Sequence, residues 1–127
     1  VEILKNALGL HEHALPLRNR RMQVIAENIA NADTPRFKAK DLDFAKALDA
    51  ARTSPMQATQ ASHFRHGELP GADGMMFRTP FNASADGNTV EMSVEQARYG
   101  KAAGDYQATL AFLENRISGI RKALKGE

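Results

Sequence analysis

The sequence predicts an all-α fold. Long N- and C-terminal helices pair as an antiparallel coiled-coil hairpin, with a short middle helix and an irregular central segment. Near the N-terminus Leu4, Leu8, His11, Leu15, Arg18, Met22, Ile25 and Ile29 recur at alternating steps of four and three. Near the C-terminus Tyr99, Ala103, Tyr106, Leu110, Leu113, Ile117, Ile120 and Leu124 keep the same rhythm. That period holds one seam on a helix and calls for a partner helix to cover it. Between them Pro55, Gly67, Pro70, Gly71, Gly74, Pro80 and Gly87 break every regular pattern. The expected division is an N-terminal helix over 1–33, an extended and irregular middle over 34–92, and a C-terminal helix over 93–127.

The first helix carries one obstacle. Pro16 lacks an N–H and clashes one turn back, at a cost of about 3 kcal/mol in a helix interior. Either the main helix starts near Ala14 with Pro16 in its first turn, or the helix runs through, continuous or kinked, to about Asn31. The second arrangement is expected. The stop itself is clear. Asn28, Asn31 and Asp33 compete for backbone bonds, and Pro35 pushes Thr34 out of the helical region. Arg36 to Lys40 then reads as extended chain. Asp41 is the candidate cap of a short helix to about Ala51, with Leu42, Ala45 and Leu48 on one face.

Residues 52–91 are the least regular part, with Met56, Phe64, Met75, Met76, Phe77 and Phe81 scattered through them. A structureless loop of that length is uncommon in a compact domain. These side chains either pack locally on the helices or form a docking surface. Phe77 to Pro80 fits a short extended piece, and Asp86-Gly87-Asn88 fits a turn.

The last helix is expected to start at Ser93. There Ser93-Val94-Glu95-Gln96 matches a capping box, with Ser93 reaching forward and Gln96 reaching back. It can run to about Lys125, roughly 50 Å, with Arg121, Lys122 and Lys125 suited to its C-terminal dipole. Away from its seam lie Ala97, Gly100, Gly104, Ala108, Ala111 and Ser118. Glycine costs about 1 kcal/mol relative to alanine in a helix interior, so Gly100 and Gly104 suggest close approach of another backbone. The alternative is an exposed face that tolerates small residues. His11 and Arg18 make the N-terminal seam impure, which weakens a coiled coil but can fix its register or partner.

Composition narrows the classes. The chain has 127 residues, 43% hydrophobic, 6% aromatic and without Trp, with a formal charge of +2. So small a charge does not point to nucleic acid. Residues 1–40 carry seven Lys/Arg against four Asp/Glu, residues 41–91 four against seven, and residues 92–127 six against four. There is no cysteine, which excludes disulfides and thiolate metal sites. No apolar run approaches the roughly 18 residues of a membrane span, and no cleavable secretion signal is visible.

No catalytic constellation stands out. His11 and His13 are two apart and point to different sides of a helix. His63 and His66 have no third ligand at useful spacing. The serines lack a nucleophile-elbow context, and Gly71-Ala72-Asp73-Gly74 lacks the lysine of a phosphate loop. Asp41, Asp43 and Asp49 read as helix-start and surface charges. No cofactor, metal or enzymatic activity is expected.

The helix stop carries a resemblance. The run from Arg21 to Pro35, with Asn28-Ile29-Ala30-Asn31 followed by Thr34-Pro35 at its core, resembles the N-terminal signature of the bacterial flagellar axial family, which includes rod, hook and hook-associated proteins. The extension Asp33 to Phe44, the segment Asp86 to Met92, Tyr106-Gln107-Ala108 and the run Arg116 to Ala123 look most like the proximal-rod members of that family. Residues 52–80 are barely constrained by it. The family commonly has Gly then Tyr after Thr-Pro, where this chain has Arg36 and Phe37; a permissive backbone position is lost, and so is a hydroxyl.

The resemblance implies a structural subunit whose terminal helices form a coiled coil in the rod wall, part of drive shaft and export channel. It implies homo-oligomerisation within the rod and export by the flagellar secretion apparatus without a cleaved signal. The implied partners are other rod subunits, the small rod adaptor protein, the MS ring and the export gate. The assembly seam would be Leu8, Leu15, Met22, Ile25 and Ile29 with Tyr99, Ala103, Tyr106, Leu110, Leu113, Ile117, Ile120 and Leu124. The close-packing face would be Gly100, Gly104, Ala108 and Ala111. The competing reading is a small coiled-coil adaptor or binding module unrelated to flagella. A cell-wall hydrolase lacks any supporting residue set.

Overall fold

The computed structural model describes residues 2–53, 74–82 and 84–126, with side chains described from Gly9 and up to Arg52 in the first of these stretches. The described elements run α1 (Glu2–Ala30), β1 (Lys40–Leu42), α2 (Phe44–Thr53), β2 (Met75–Phe77) and α3 (Met92–Lys125). The long terminal helices pack together, as the two heptad patterns require. Their antiparallel register is fixed by three facing pairs. Asn28 meets Glu95 at one end, Arg18 meets Asp105 midway, and His11 stacks on Phe112 with ring centroids 4.2 Å apart.

Pro16 lies inside α1, which runs through it. Pro16 and Glu12, whose carbonyl loses its helical N–H partner, are both exposed, so water can satisfy the carbonyl. The helix stops as expected. The Asn31 side-chain amide donates to Glu27 O at 2.8 Å, and its own oxygen accepts from the Thr34 hydroxyl at 3.1 Å.

Three local expectations need correction. Asp41 does not cap the short helix; it sits in β1, and the Asp43 carboxylate accepts from the Lys46 N–H at 3.2 Å. The buried side of α2 is accordingly centred on Ala47, with Phe44, Leu48 and Ala51 half-buried and Ala45 exposed. Ser93 does not cap α3. The helix starts one residue earlier, its cap Glu91 makes no side-chain cap bond, and the Glu91 carboxylate accepts from the Phe81 N–H at 2.8 Å. The capping box fails because α3 already begins at Met92, with the Glu95 N–H bonded to Glu91 O, so Ser93 lies inside the helix.

The strand pair is the element that periodicity did not reveal. β1 and β2 are antiparallel, with Lys40 opposite Phe77, Asp41 opposite Met76 and Leu42 opposite Met75. Each is three residues long, too short for alternation to register. Gly74 closes the pair. Its φ is +80°, and a Cβ there would stand 3.0 Å from Asp43 O, so only glycine fits without displacement. An isolated pair of strands is marginal in water. Here the free edge of β1 is taken up by Asn28, whose amide nitrogen donates to Lys40 O at 2.7 Å while its oxygen accepts from the Lys40 N–H at 3.0 Å.

Among the described residues the buried apolar side chains are Ala14, Val24, Ile25, Ala39, Leu42, Ala47 and Ala102, most of them toward the β-strand end of the hairpin. Residues Arg36 to Lys40 are extended only in part, because Arg36 adopts φ +61°. A side chain in that left-handed region costs about 1–2 kcal/mol. Arg36→Gly is therefore expected to raise stability by about 0.5–1 kcal/mol after the added freedom of the unfolded chain is subtracted. Urea unfolding of the two proteins side by side checks this. No described helix is long and apolar enough to cross a membrane.

Candidate functional site

Two polar clasps lock the strand end of the hairpin. The first is centred on Asp41. Its carboxylate meets Arg78 Nη2 at 3.0 Å, Arg98 Nη1 at 3.2 Å and Arg21 Nε at 3.5 Å. Arg78 directly follows β2, Arg98 lies on α3 and Arg21 on α1, so one carboxylate of β1 ties three other parts of the chain together. Arg78 also pairs with the buried Glu95, and Glu95 accepts from the Asn28 amide at 3.2 Å. The contact from Arg21 Nε, like the Arg78 Nη2 contact, is charge attraction without hydrogen-bond alignment. Burial pushes the Asp41 carboxyl up. The Leu42 N–H and the charges of Arg21 and Arg78 together outweigh it, and the carboxyl titrates below its ordinary value.

A lowered carboxylate stabilises the fold at any pH above its unfolded value, and that contribution is lost as pH falls through the folded value. Thermal unfolding is therefore expected to be flat with respect to this group above about pH 5 and to weaken steadily below about pH 4. In Asp41→Asn that share of the acid dependence should be missing, which a pH series of melting curves would read.

The second clasp is the turn at 86–91 closing over the helix stop. The Asn88 amide nitrogen lies 3.0, 2.9 and 2.8 Å from the carbonyls of Asn31, Ala32 and Thr34. Its oxygen accepts from the Val90 N–H at 2.7 Å. Around it the Arg36 N–H donates to Asp86 O, the Thr89 N–H donates to Phe37 O, and the Thr89 hydroxyl accepts from the Ala39 N–H at 2.7 Å. Lys38 Nζ donates to Gly87 O at 2.7 Å. The Ser84 hydroxyl and the Asn88 N–H hold the exposed Asp86 carboxyl below its usual value.

The clasps give the quoted motif distinct tasks. Asn28 is buried and grips strand and helix at once. Asn31 and Thr34 terminate α1. Pro35 is exposed in the following turn.

The face between the helices is more polar than the seam pattern suggests. On α3 the buried positions are Glu95, Ala102 and Thr109, seven apart, flanked by Arg98, Asp105 and Phe112. On α1 Ile25 is fully buried, Leu15, Met22 and Ile29 are half-buried, and the Leu8 side chain lies outside the described residues. The polar seam residues do the cross-linking. Arg18 pairs with Asp105 at 3.6 Å and lies 4.6 Å above the Phe44 ring of α2, and His11 stacks on Phe112. The apolar stripe of α3 sits beside this face. Ala103, Tyr106, Leu110, Leu113 and Ile120 are half-buried, whereas Tyr99, Ile117 and Leu124 are 38%, 49% and 82% exposed. Gly100, Gly104, Ala108 and Ala111 are exposed, and a Cβ on either glycine would meet nothing within 4 Å. The chain's own packing therefore gives no reason for those glycines. Among the described residues no group of His, Asp and Glu could hold a metal; His63 and His66 lie outside them.

Comparison with known proteins gives this arrangement a context. Residues 8–38, the stretch that ends in the motif, match the family model described as flagella basal body rod protein. The flagellar basal body rod protein FlgB of Cereibacter sphaeroides (strain ATCC 17029 / ATH 2.4.9) is 43% identical over 124 residues, 97% of each chain. Its namesake in Aeromonas hydrophila is 40% identical, covering 95% of this chain and 94% of that one. That of Escherichia coli (strain K12) is 36% identical, covering 96% and 95%.

The chain belongs to the flagellar basal body rod protein family. The relatives are named as rod proteins, not as enzymes, and identity extends across nearly the whole chain, through the middle that the motif resemblance left open. The residues that sequence reasoning missed are the ones that build the two clasps: Asp41, Arg78, Arg98, Glu95 and Asn88. Asp41 reads as a helix-start charge and Glu95 only as an inner position of the Ser93–Gln96 box, and nothing in a linear pattern says that an acid at 41 meets a base at 78. The one available signal was the likeness of both Asp33–Phe44 and Asp86–Met92 to the same family. These two stretches form the second clasp.

Proposed function

We propose that this chain is a subunit of the proximal part of the flagellar basal body rod and that it assembles through its two terminal helices. The observation that carries this reading is the division of labour on α3. Its polar residues close the hairpin within the chain, while Tyr99, Ile117 and Leu124 face outward along the heptad stripe. A stripe of large apolar groups left open by its own fold is a contact surface.

In this reading residues 1–33 and 93–127 act as two arms and residues 34–92 as the clasp that sets their register. The assembly seam is the stripe named above, and neighbouring subunits approach closely over Gly100, Gly104, Ala108 and Ala111. Copies of the chain and other rod subunits form the wall of the drive shaft and export channel. The small rod adaptor protein, the MS ring and the export gate are the proximal neighbours, and the chain reaches its place through the flagellar secretion apparatus.

Leu113→Asp tests the seam. A carboxylate placed there must be desolvated when a neighbour docks, which costs far more than the seam contact returns. Leu113 is only half-buried in the free chain, so the monomer should still fold. The expected result is a folded, exported protein that is absent from purified basal bodies, in non-motile cells. Normal incorporation and swimming would sink the seam assignment. The adaptor reading, in contrast, expects no basal-body defect at all.

A further inference from the structure

The turn that closes the second clasp contains a bond that can rearrange itself. Asp86 is exposed, and it precedes Gly87, which has no side chain to shield its amide nitrogen. At an Asp-Gly step the glycine nitrogen can attack the aspartate side-chain carbon Cγ. The nitrogen gives up its proton, the carboxyl gives up its hydroxyl, and one water leaves as a five-membered succinimide closes. One water then adds back at either ring carbonyl. Opening at the former main-chain carbonyl leaves isoaspartate, with the backbone now running through Cβ and Cγ. The water lost is regained, so no other reactant is needed.

The structure sets two brakes on that step. The attack needs a neutral carboxyl, because a carboxylate has no hydroxyl to release. The Ser84 hydroxyl donates to Asp86 Oδ1 at 2.6 Å, and the Asn88 N–H donates to the same oxygen at 3.0 Å. Both bonds favour the ionised form, and they hold the carboxyl below its ordinary value. The attack also needs a free glycine nitrogen. The Gly87 N–H instead donates to Ser84 O at 3.2 Å. Ser84 thus holds both reacting groups, one through its hydroxyl and one through its carbonyl.

The same turn is where an inserted backbone atom does harm. The Asp86 main-chain carbonyl accepts from the Arg36 N–H at 3.0 Å, and the Thr89 N–H donates to Phe37 O at 3.0 Å. Asn88 lies between these two contacts and serves the carbonyls of Asn31, Ala32 and Thr34. In isoaspartate the Asp86 carbonyl leaves the main chain as a free carboxylate. The path from Asp86 to Asn88 grows by one bond, and the pairing with residues 31–37 loses its register.

We propose that Asp86-Gly87 is a site of spontaneous aspartate isomerisation, held back in the folded chain by Ser84, and that isomerisation there opens the second clasp.

The test incubates the full-length chain at neutral pH, folded in buffer and unfolded in guanidinium chloride. Tryptic cleavage after Arg78 and Arg98 separates Asp86 from the other Asp-Gly step, Asp73-Gly74. Electron-transfer fragmentation of that peptide then counts isoaspartate at position 86. The unfolded chain is expected to accumulate it at least about tenfold faster than the folded one. Ser84→Ala, an exposed change checked by its circular dichroism spectrum, should raise the folded-state rate at least about threefold. Ser84→Thr, which keeps a hydroxyl, should stay within about twofold of the parent. In the purified isoaspartate form the amides of Arg36 and Thr89 should exchange with solvent at least about tenfold faster, while that of Arg98 keeps its protection. Equal rates in folded and unfolded chain overturn the proposal, and so does the absence of isoaspartate at 86 from the unfolded chain. An alanine variant no faster than the parent, a threonine variant as fast as the alanine one, or an isoaspartate form with Arg36 and Thr89 still protected overturns it too. Every readout is taken on the isolated chain, so the rod reading survives any of these results.

Discussion

Replacing Asp41 by asparagine is expected to unfold the strand end of the hairpin more readily than any surface change, lowering stability by about 3 kcal/mol. The carboxylate side chain is 13% exposed, and Arg78 beside it is 10% exposed. Its removal leaves Arg21, Arg78 and Arg98 converging with only Glu95 to balance them. Two effects act together: cations of like sign are left close to one another, and Arg78 loses one of its two acidic partners in a site with little water. Arg21 and Arg98 can swing partly into solvent, which sets the loss near the lower end for a broken buried pair. A pair of double-mutant cycles separates the contributions. Coupling of Asp41 to Arg78 should exceed its coupling to Arg98, because the Arg98 side chain is 35% exposed and exposed pairs are worth less than about 1 kcal/mol. Equal couplings would mean that the cluster acts through net charge alone.

Asn88→Ala is the second large effect, expected to cost about 2–4 kcal/mol. Asn88 is 4% exposed. Its amide serves the carbonyls of Asn31, Ala32 and Thr34, and its oxygen holds the Val90 N–H. Alanine leaves the Ala32 carbonyl and the Val90 N–H without these partners, while the Asn31 and Thr34 carbonyls keep the N–H groups of Thr34 and Phe37. The loss should be local before it is global. Proteolysis of the variant should begin near residues 32–38 under conditions where the parent is resistant there, since that segment is tied to the 86–90 turn by little else than hydrogen bonds. Asn88→Asp separates shape from donation: it keeps the oxygen for Val90 but removes the amide hydrogens, and it should lose nearly as much as the alanine variant.

How much of this could be read from the chain depends on distance along it. The helices were legible because a helix declares itself within a few turns: the heptads of Leu4 to Ile29 and Tyr99 to Leu124 lie inside α1 and α3. The stop at Asn31 was legible because its cause, Pro35 and the competing side chains, lies within a turn of it. The clasps were not. Asp41 and Arg78 are paired through two three-residue strands with too few positions to show a period. Asn88 reads as a turn residue from its neighbours Asp86 and Gly87, and only the fold brings Asn31 to Thr34 beneath it. The capping box at Ser93 misled as well. The local pattern favoured it, but the helix starts one residue earlier and takes Ser93 into its first turn. The seam pattern was right about the helices and silent about which neighbour takes which side. Hydrophobic spacing cannot say that Arg18 and Asp105, charged residues, would face each other across the hairpin.

That last point bears on function. The intrachain face is held by ion pairs, a stack and a buried amide, while Tyr99, Ile117 and Leu124 of α3 stay exposed. The clasps at Asp41 and Asn88 lie at the strand end, away from the exposed Ile117 and Leu124.

The most direct measurement of the central claim is the solvent protection of one seam residue in the two states. The chain has no cysteine, so Ile117→Cys supplies a single thiol at a position 49% exposed in the free chain. In the dilute monomer it should react with a maleimide about as fast as a free thiol in solution. In basal bodies isolated from cells that carry the variant it should be protected by at least about tenfold, as a buried contact requires. Equal reactivity in monomer and basal body, with the protein present in both, would contradict assembly through this face.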